Sequence, residues 1–263
     1  MKKIWRVFLE MLRLQFETIM VFRFDFFAPF FVDGSLFVIQ LMAFWAIYKN
    51  VDTIGGWNQG EMVIYIGTFS LINAINMVIY FFGLNTLPAK VKSGELDLYL
   101  TKPISPLFRL TFEKITPGSI PLVLMSLCIL IYGMRMTEYE YQISKIAAYC
   151  FWVLVMEILY YEMEVLFRAA SLFLITNARL EQIEEAGISL CMKVPGIALY
   201  GGYKIIFYLV LPYGIMATFP VQSLIGDMNW KRALYGIGIV VLFSILTRFV
   251  WKQGLRQYRS ASS

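Results

Sequence analysis

Residues 91–106 read VKSGELDLYLTKPISP, a stretch with charges, one glycine and two prolines set between two strongly apolar runs. The chain around it has 263 residues, of which 59% are hydrophobic and 16% charged, and a mean hydropathy of +0.65. An ordinary soluble domain carries roughly 25% charged residues, and a water-soluble fold could not hide this much apolar surface. Each membrane-crossing helix needs about 20 predominantly apolar residues, so the length holds a handful of spans and little else. The expected fold is all-α, a single polytopic membrane domain over residues 1–263.

Working outward from that stretch, six apolar runs read as spans, at about 26–48, 62–84, 115–134, 146–174, 194–213 and 233–251, with boundaries loose by several residues. The fifth is interrupted by Pro195, Gly196, Gly201 and Gly202 and holds Lys204. The fourth exceeds one crossing, and its end is expected to protrude into the cytosol. Lys and Arg concentrate before the first span, between the second and third, and after the sixth. Positive residues in short segments stay on the cytoplasmic side. Both termini and the quoted stretch are therefore expected in the cytoplasm, and the net charge of +5 needs no nucleic-acid partner.

Residues 2–22 differ. Arg6, Glu10, Arg13 and Glu17 recur at helical spacing on one face, and Trp5, Phe8, Leu9, Leu12, Phe16 and Ile19 cover the other. This pattern predicts an amphipathic helix lying in the membrane interface, the alternative being the cytosolic start of the first span. No smooth apolar core with a small-residue cleavage site occurs here, so no cleaved leader is expected.

Several chemistries are excluded. Histidine is absent, which removes the commonest general base and metal ligand. The three cysteines stand far apart in apolar surroundings, with neither a disulfide framework nor a metal motif. No phosphate-cradling glycine loop occurs, so ATP, if used, must be handled by another chain.

In the quoted stretch, helical spacing groups Leu87, Val91, Gly94 and Leu98, whereas strand alternation groups Leu96, Leu98 and Leu100. Periodicity does not decide between them. Either way an apolar ridge flanked by Glu95 and Asp97 is closed by Pro103 and Pro106, a shape suited to a groove on a soluble partner or to a plain solvated loop.

Ser93-Gly94-Glu95-Leu96-Asp97, Leu100, Lys102-Pro103 and Pro106 resemble the cytoplasmic loop of the membrane subunits of type 2 ABC exporters. Phe44 to Tyr48 with Gly55 to Met62, Pro212-Tyr213 with Phe219 to Gly226, and Trp251 to Ala261 are similar to further parts of that family, in order along the chain. The region 157–204 conforms least. The resemblance implies a permease that pairs with a second permease, identical or homologous, and with two copies of an ABC ATPase subunit. It further implies a coupling helix within 87–106. No cofactor would be bound by this chain, with ATP and magnesium on the partner ATPase, and the location would be the plasma membrane of a bacterium. It also implies that 214–232, around Pro212, Phe219, Pro220 and Gly226, forms a re-entrant hairpin between the fifth and sixth spans.

Two charges fall inside the proposed bilayer, Glu157 about mid-way along the fourth span and Lys204 in the fifth. They are expected to pair across the path, or to be interfacial if the boundaries are shifted. Glu164 and Arg168, four apart, read as a local surface bridge. Two rival functions stay open: an ion-coupled transporter using Glu157, Glu162 or Glu164, and a membrane enzyme acting on lipids through carboxylates.

Overall fold

The computed structural model describes Arg13, residues 23–174 and residues 178–258. The interfacial helix expected at 2–22, with Trp5, Arg6, Glu10 and Glu17, lies outside the described residues, Arg13 excepted. Helices and turns make up what is described; an isolated Ile54–Trp57 bridge is the one extended pairing there.

The elements are α1 (Arg23–Tyr48) and α2 (Gln59–Ile79), both long, then the short helices α3 (Leu87–Ser93), α4 (Asp97–Leu100) and α5 (Pro106–Phe112). Then come α6 (Ile120–Met136), α7 (Ile143–Ala169), α8 (Ala178–Lys193), α9 (Gly201–Ile205, continued by a π-turn at Ile206–Val210), α10 (Thr218–Ile225) and α11 (Trp230–Gln257). Four stretches are long and apolar enough to cross a membrane: Gln59–Ile79, Pro117–Met136, Ile143–Leu172 and Trp230–Gln257. A fifth would be Gly201–Val210 with Tyr213–Ile225, bent by 81°. The apolar run Gly34–Tyr48 in α1 is shorter. The chain is thus a helical, multi-pass membrane protein.

Local chemistry sets the boundaries. Asn58 caps α2 by accepting from the Glu61 amide at 3.0 Å, and Glu61 Oε2 accepts from the Asn58 amide at 2.7 Å. Glu61 Oε1 also accepts from Tyr139 at 2.7 Å, which ties the 137–142 turn to the same end of the bundle. At the other end α2 stops at Tyr80, five residues or so before the expected end of the second span. The apolar Phe81–Leu84 that suggested a longer span turns aside and packs on α5, where a Cβ on Gly83 would stand 2.0 Å from the Leu110 carbonyl.

α2 and α6 make the most extensive contact in the bundle, and glycines permit it. A Cβ on Gly67 would lie 2.7 Å from the Leu130 amide nitrogen, and one on Gly133 would lie 2.7 Å from that of Ile64. In a bilayer, where lipid is as apolar as leucine, such close backbone approach is a main source of helix association. The principal core joins these helices to α7, α10 and α11 around Met62, Ile66, Met156, Tyr213 and Phe219.

The region after α7 departs most from the sequence expectation. The run assigned to the fifth span is not one straight crossing. Gly201–Val210 and Tyr213–Ile225 meet at the bend by Pro212, which lacks an amide hydrogen. Gly201 and Asp227, at the two ends of this hairpin, line one cavity together with Gly55. The bent pair begins about thirteen residues before the expected re-entrant segment. α8, which is not among those apolar stretches, extends alongside the bundle and makes contacts at several levels of it. Glu184 near its start meets Arg168 at the end of α7, the Cys191 and Met192 carbonyls accept from Tyr65 and Gln40, and Ile197 beyond it packs on Gly55.

Candidate functional site

The stretch quoted at the outset lies at the Tyr80 end. α3 closes at Gly94, whose φ of +78° suits a residue without a side chain. That left-handed turn separates Leu87 and Val91 from Leu98, so neither the single helical face nor the strand alternation of the sequence reading holds. The one-turn α4 follows, and Pro106 opens α5 after Ser105.

Burial sorts the segment into two faces. Leu87, Leu96, Tyr99 and Leu110 enter a second core with Val165, Ala169 and Leu172 from the end of α7, rimmed by Val91 and by Val250, Trp251, Leu255 and Tyr258 of α11 and its exit. Leu96 is fully buried, so it anchors the segment and is not available to a partner. Glu95, Thr101, Lys102 and Pro103 face outward, with Leu98 at 62% and Leu100 at 43% exposure. Gly94, Asp97 and Pro106 are half-buried.

A polar brace, not anticipated from sequence, holds the segment to its roots. Glu113 accepts from Tyr99 at 2.5 Å and from Thr86 at 3.1 Å, and it forms an ion pair with Lys90. Lys90 donates to Thr86 at 2.7 Å, and the Arg109 guanidinium lies 4.1 Å from the centre of the Tyr99 ring. Burial and the Glu113 carboxylate push the Tyr99 phenol above its ordinary range. The signal available in the sequence was weak: a lysine and a glutamate flanking the loop, 23 residues apart.

Beneath the segment α7 carries a buried polar network. Tyr80 donates to Glu157 at 2.9 Å, Tyr160 to Asn73 at 3.1 Å, and Asn76 to Glu164 at 3.5 Å. Arg168 pairs with Glu164 at 3.3 Å and with Glu184 of α8 at 2.5 Å. These three side chains are all nearly inaccessible, so the pair read as a surface bridge is a buried triad. The expected partnership of Glu157 with Lys204 does not form. Glu157 is engaged by Tyr80, while Lys204 lies at the other end of the bundle, 5.4 Å from the Tyr208 ring centre, lining the cavity with Gly55. Of the hairpin residues, Pro212 and Pro220 are buried, Phe219 meets Trp152 edge-on at 5.8 Å, and Gly226 caps α10 with a φ of +95°. Among the described residues no group of three or more Cys, Asp or Glu is placed to hold a metal ion.

The described residues form a multi-pass helical bundle with a braced polar loop at one end, the architecture of a membrane component. A family model described as ABC-2 family transporter protein matches residues 35–262. The chain belongs to that family, whose permeases are membrane components of ABC transporters and work with ABC ATPase partners. No curated protein and no solved structure matches it.

Proposed function

We propose that the chain is the permease of an ATP-driven exporter, that it pairs with a second permease, identical or homologous, and that two copies of a separate ATPase grip it through residues 94–104. ATP and magnesium are then handled on the ATPase. The observation that carries this reading is the division of the segment into a locked inner face and an outward face. Leu96 and Tyr99 fix it to α7 and α11, and Leu98 and Leu100, flanked by Glu95 and Lys102, present an apolar ridge suited to a groove. A push on that ridge passes directly to the ends of both long helices. Nucleotide drives transport only if it favours one arrangement of the helices over the other.

On this reading the chain crosses six times with both termini cytoplasmic, α8 is the fifth crossing, and 201–225 is a re-entrant hairpin covered by protein. α8 is about 24 Å long at 1.5 Å per residue, and 194–197 completes its passage. It exposes Gln182 and Glu185. A charge facing lipid costs several kcal/mol, so that face calls for the second permease or a water-filled path between the two.

Co-purification with the soluble ATPase and nucleotide-stimulated transport provide the test. Leu98→Asp is expected to lower both by about tenfold or more, the loss of one apolar anchor, with the thermal midpoint of the chain unchanged. An unchanged complex and unchanged transport would overturn the docking role. Transport without any ATPase would favour an ion-coupled carrier, and turnover of lipid by the chain alone an enzyme.

A further inference from the structure

The cavity at the Gly55 end has a volume of about 720 Å³ and lies between the hairpin and the first turns of α11. Lys204, Lys231 and Arg232 line it against a single carboxylate, Asp227, over a wall of Tyr208, Phe219 and Tyr235. Arg232 Nη1 donates to the Asp227 backbone carbonyl at 2.7 Å, and Tyr235 donates to the Tyr208 carbonyl at 2.8 Å, so the wall is built and held. Among the described residues none of the three cations is in an ion pair. A second, apolar groove of about 510 Å³ begins where the cavity ends, since Leu209 lines both. It runs from the hairpin bend at Val210 and Leu211 and the Leu242 and Leu246 side of α11 toward Met163, Phe167 and Ala170 at the far end of α7.

From these two connected spaces we infer that the chain holds an anionic phospholipid of the leaflet at the Gly55 end, its phosphate among Lys204, Lys231 and Arg232 and an acyl chain along the groove to Leu246. The dimensions agree. Leu242 and Leu246 stand eleven and fifteen residues past Lys231 on one helix, about 16 and 22 Å at 1.5 Å per residue. One leaflet's half of the hydrocarbon core is about 15 Å, with the headgroup region beyond it. Three cations against one carboxylate leave the cavity with an excess of positive charge that a phosphate offsets and a neutral lipid does not, and a soluble anion would leave the groove to be filled by something else. Only the choice of leaflet rests on the orientation proposed above; the site does not depend on the ATPase.

Native mass spectrometry of the complete complex released from nanodiscs of mixed phosphatidylglycerol and phosphatidylcholine tests this. Retained phosphatidylglycerol should exceed phosphatidylcholine by about tenfold, the factor that one well-placed charge contact supplies. The preference should vanish in Lys204→Gln/Lys231→Gln/Arg232→Gln, and Leu242→Trp should reduce retention of both lipids. Lys231→Gln alone, expected to give an intermediate preference, serves if the triple variant does not fold. Equal retention of the two lipids, a preference that survives the charge variants, or displacement of the lipid by equimolar inorganic phosphate would each overturn the inference. So would retention by the isolated chain that is lost in the complex, because a second permease would then occupy the face.

Discussion

Arg168 is the side chain on which most buried charge converges. Its guanidinium answers both Glu164 and Glu184, and through them it joins α7 to α8. Removing it leaves two carboxylates facing each other without a counter-charge. Breaking a buried pair in this way costs about 3–5 kcal/mol, whereas replacing a whole buried group by apolar residues can be neutral. Arg168→Met is therefore expected to lower the unfolding midpoint in detergent markedly, and Arg168→Met/Glu164→Leu/Glu184→Leu to recover much of the loss; an Arg168→Met chain as stable as the parent would contradict the triad. Tyr99 sits at the other polar focus. Tyr99→Phe removes its bond to Glu113 and is expected to cost about 1 kcal/mol. Because burial and Glu113 raise this phenol, the bond contributes fully at every pH below the ordinary tyrosine value of about 10, and its contribution is lost as pH rises through the raised value. The Arg109 guanidinium over the ring moderates the shift. Protease cleavage within 94–104 should accordingly stay slow in the parent up to about pH 10 and be faster already near neutral pH in Tyr99→Phe; equal rates in the two chains would show that the brace is not what holds the segment.

At the scale of elements, the glycine contacts between α2 and α6 give a direct expectation. Gly67→Ala or Gly133→Ala pushes a methyl against backbone rather than against a movable side chain, and overpacking of this kind costs about 1–3 kcal/mol. Gly238, on α11 with nothing within 4 Å of an added Cβ, is the matched control, and Gly238→Ala should leave the unfolding midpoint where it is or raise it slightly. The helices that meet this way were legible in the sequence because they are apolar on all sides, and so were α7 and α11. α8 was not. Its Arg179, Glu181, Glu184 and Glu185 gave it the hydropathy of a surface loop, and hydropathy cannot register that Glu184 is matched by Arg168 inside the protein. The bend beyond Val210 was missed for the opposite reason: 201–210 is apolar enough to read as part of one straight span, and the break by Pro212 alone marks the 81° change of direction. In the segment 94–106 the punctuation by Gly94, Pro103 and Pro106 was visible, but the inward turn of Leu96 was not, since it depends on a core completed by Val165, Ala169 and Leu172, far along the chain.

For the whole molecule, the account describes a bundle with two unlike ends, joined by α7, α8 and α11. Single cysteines introduced at Glu138 and Asn229, in a chain lacking Cys128, Cys150 and Cys191, should react with a membrane-impermeant thiol reagent from outside intact cells. A cysteine at Lys102 should react only after permeabilisation. In the proposed orientation the outward ridge of residues 94–104 is the surface offered to a soluble motor. The most direct measurement is therefore a site-specific cross-link from Leu98→Cys in the assembled transporter. The account predicts a covalent product with the ATPase subunit whose yield changes when nucleotide is added, and no such product from Leu96→Cys, which is buried. A Leu98 cross-linker that captures only lipid or the chain itself, with the ATPase present in the complex, would contradict it.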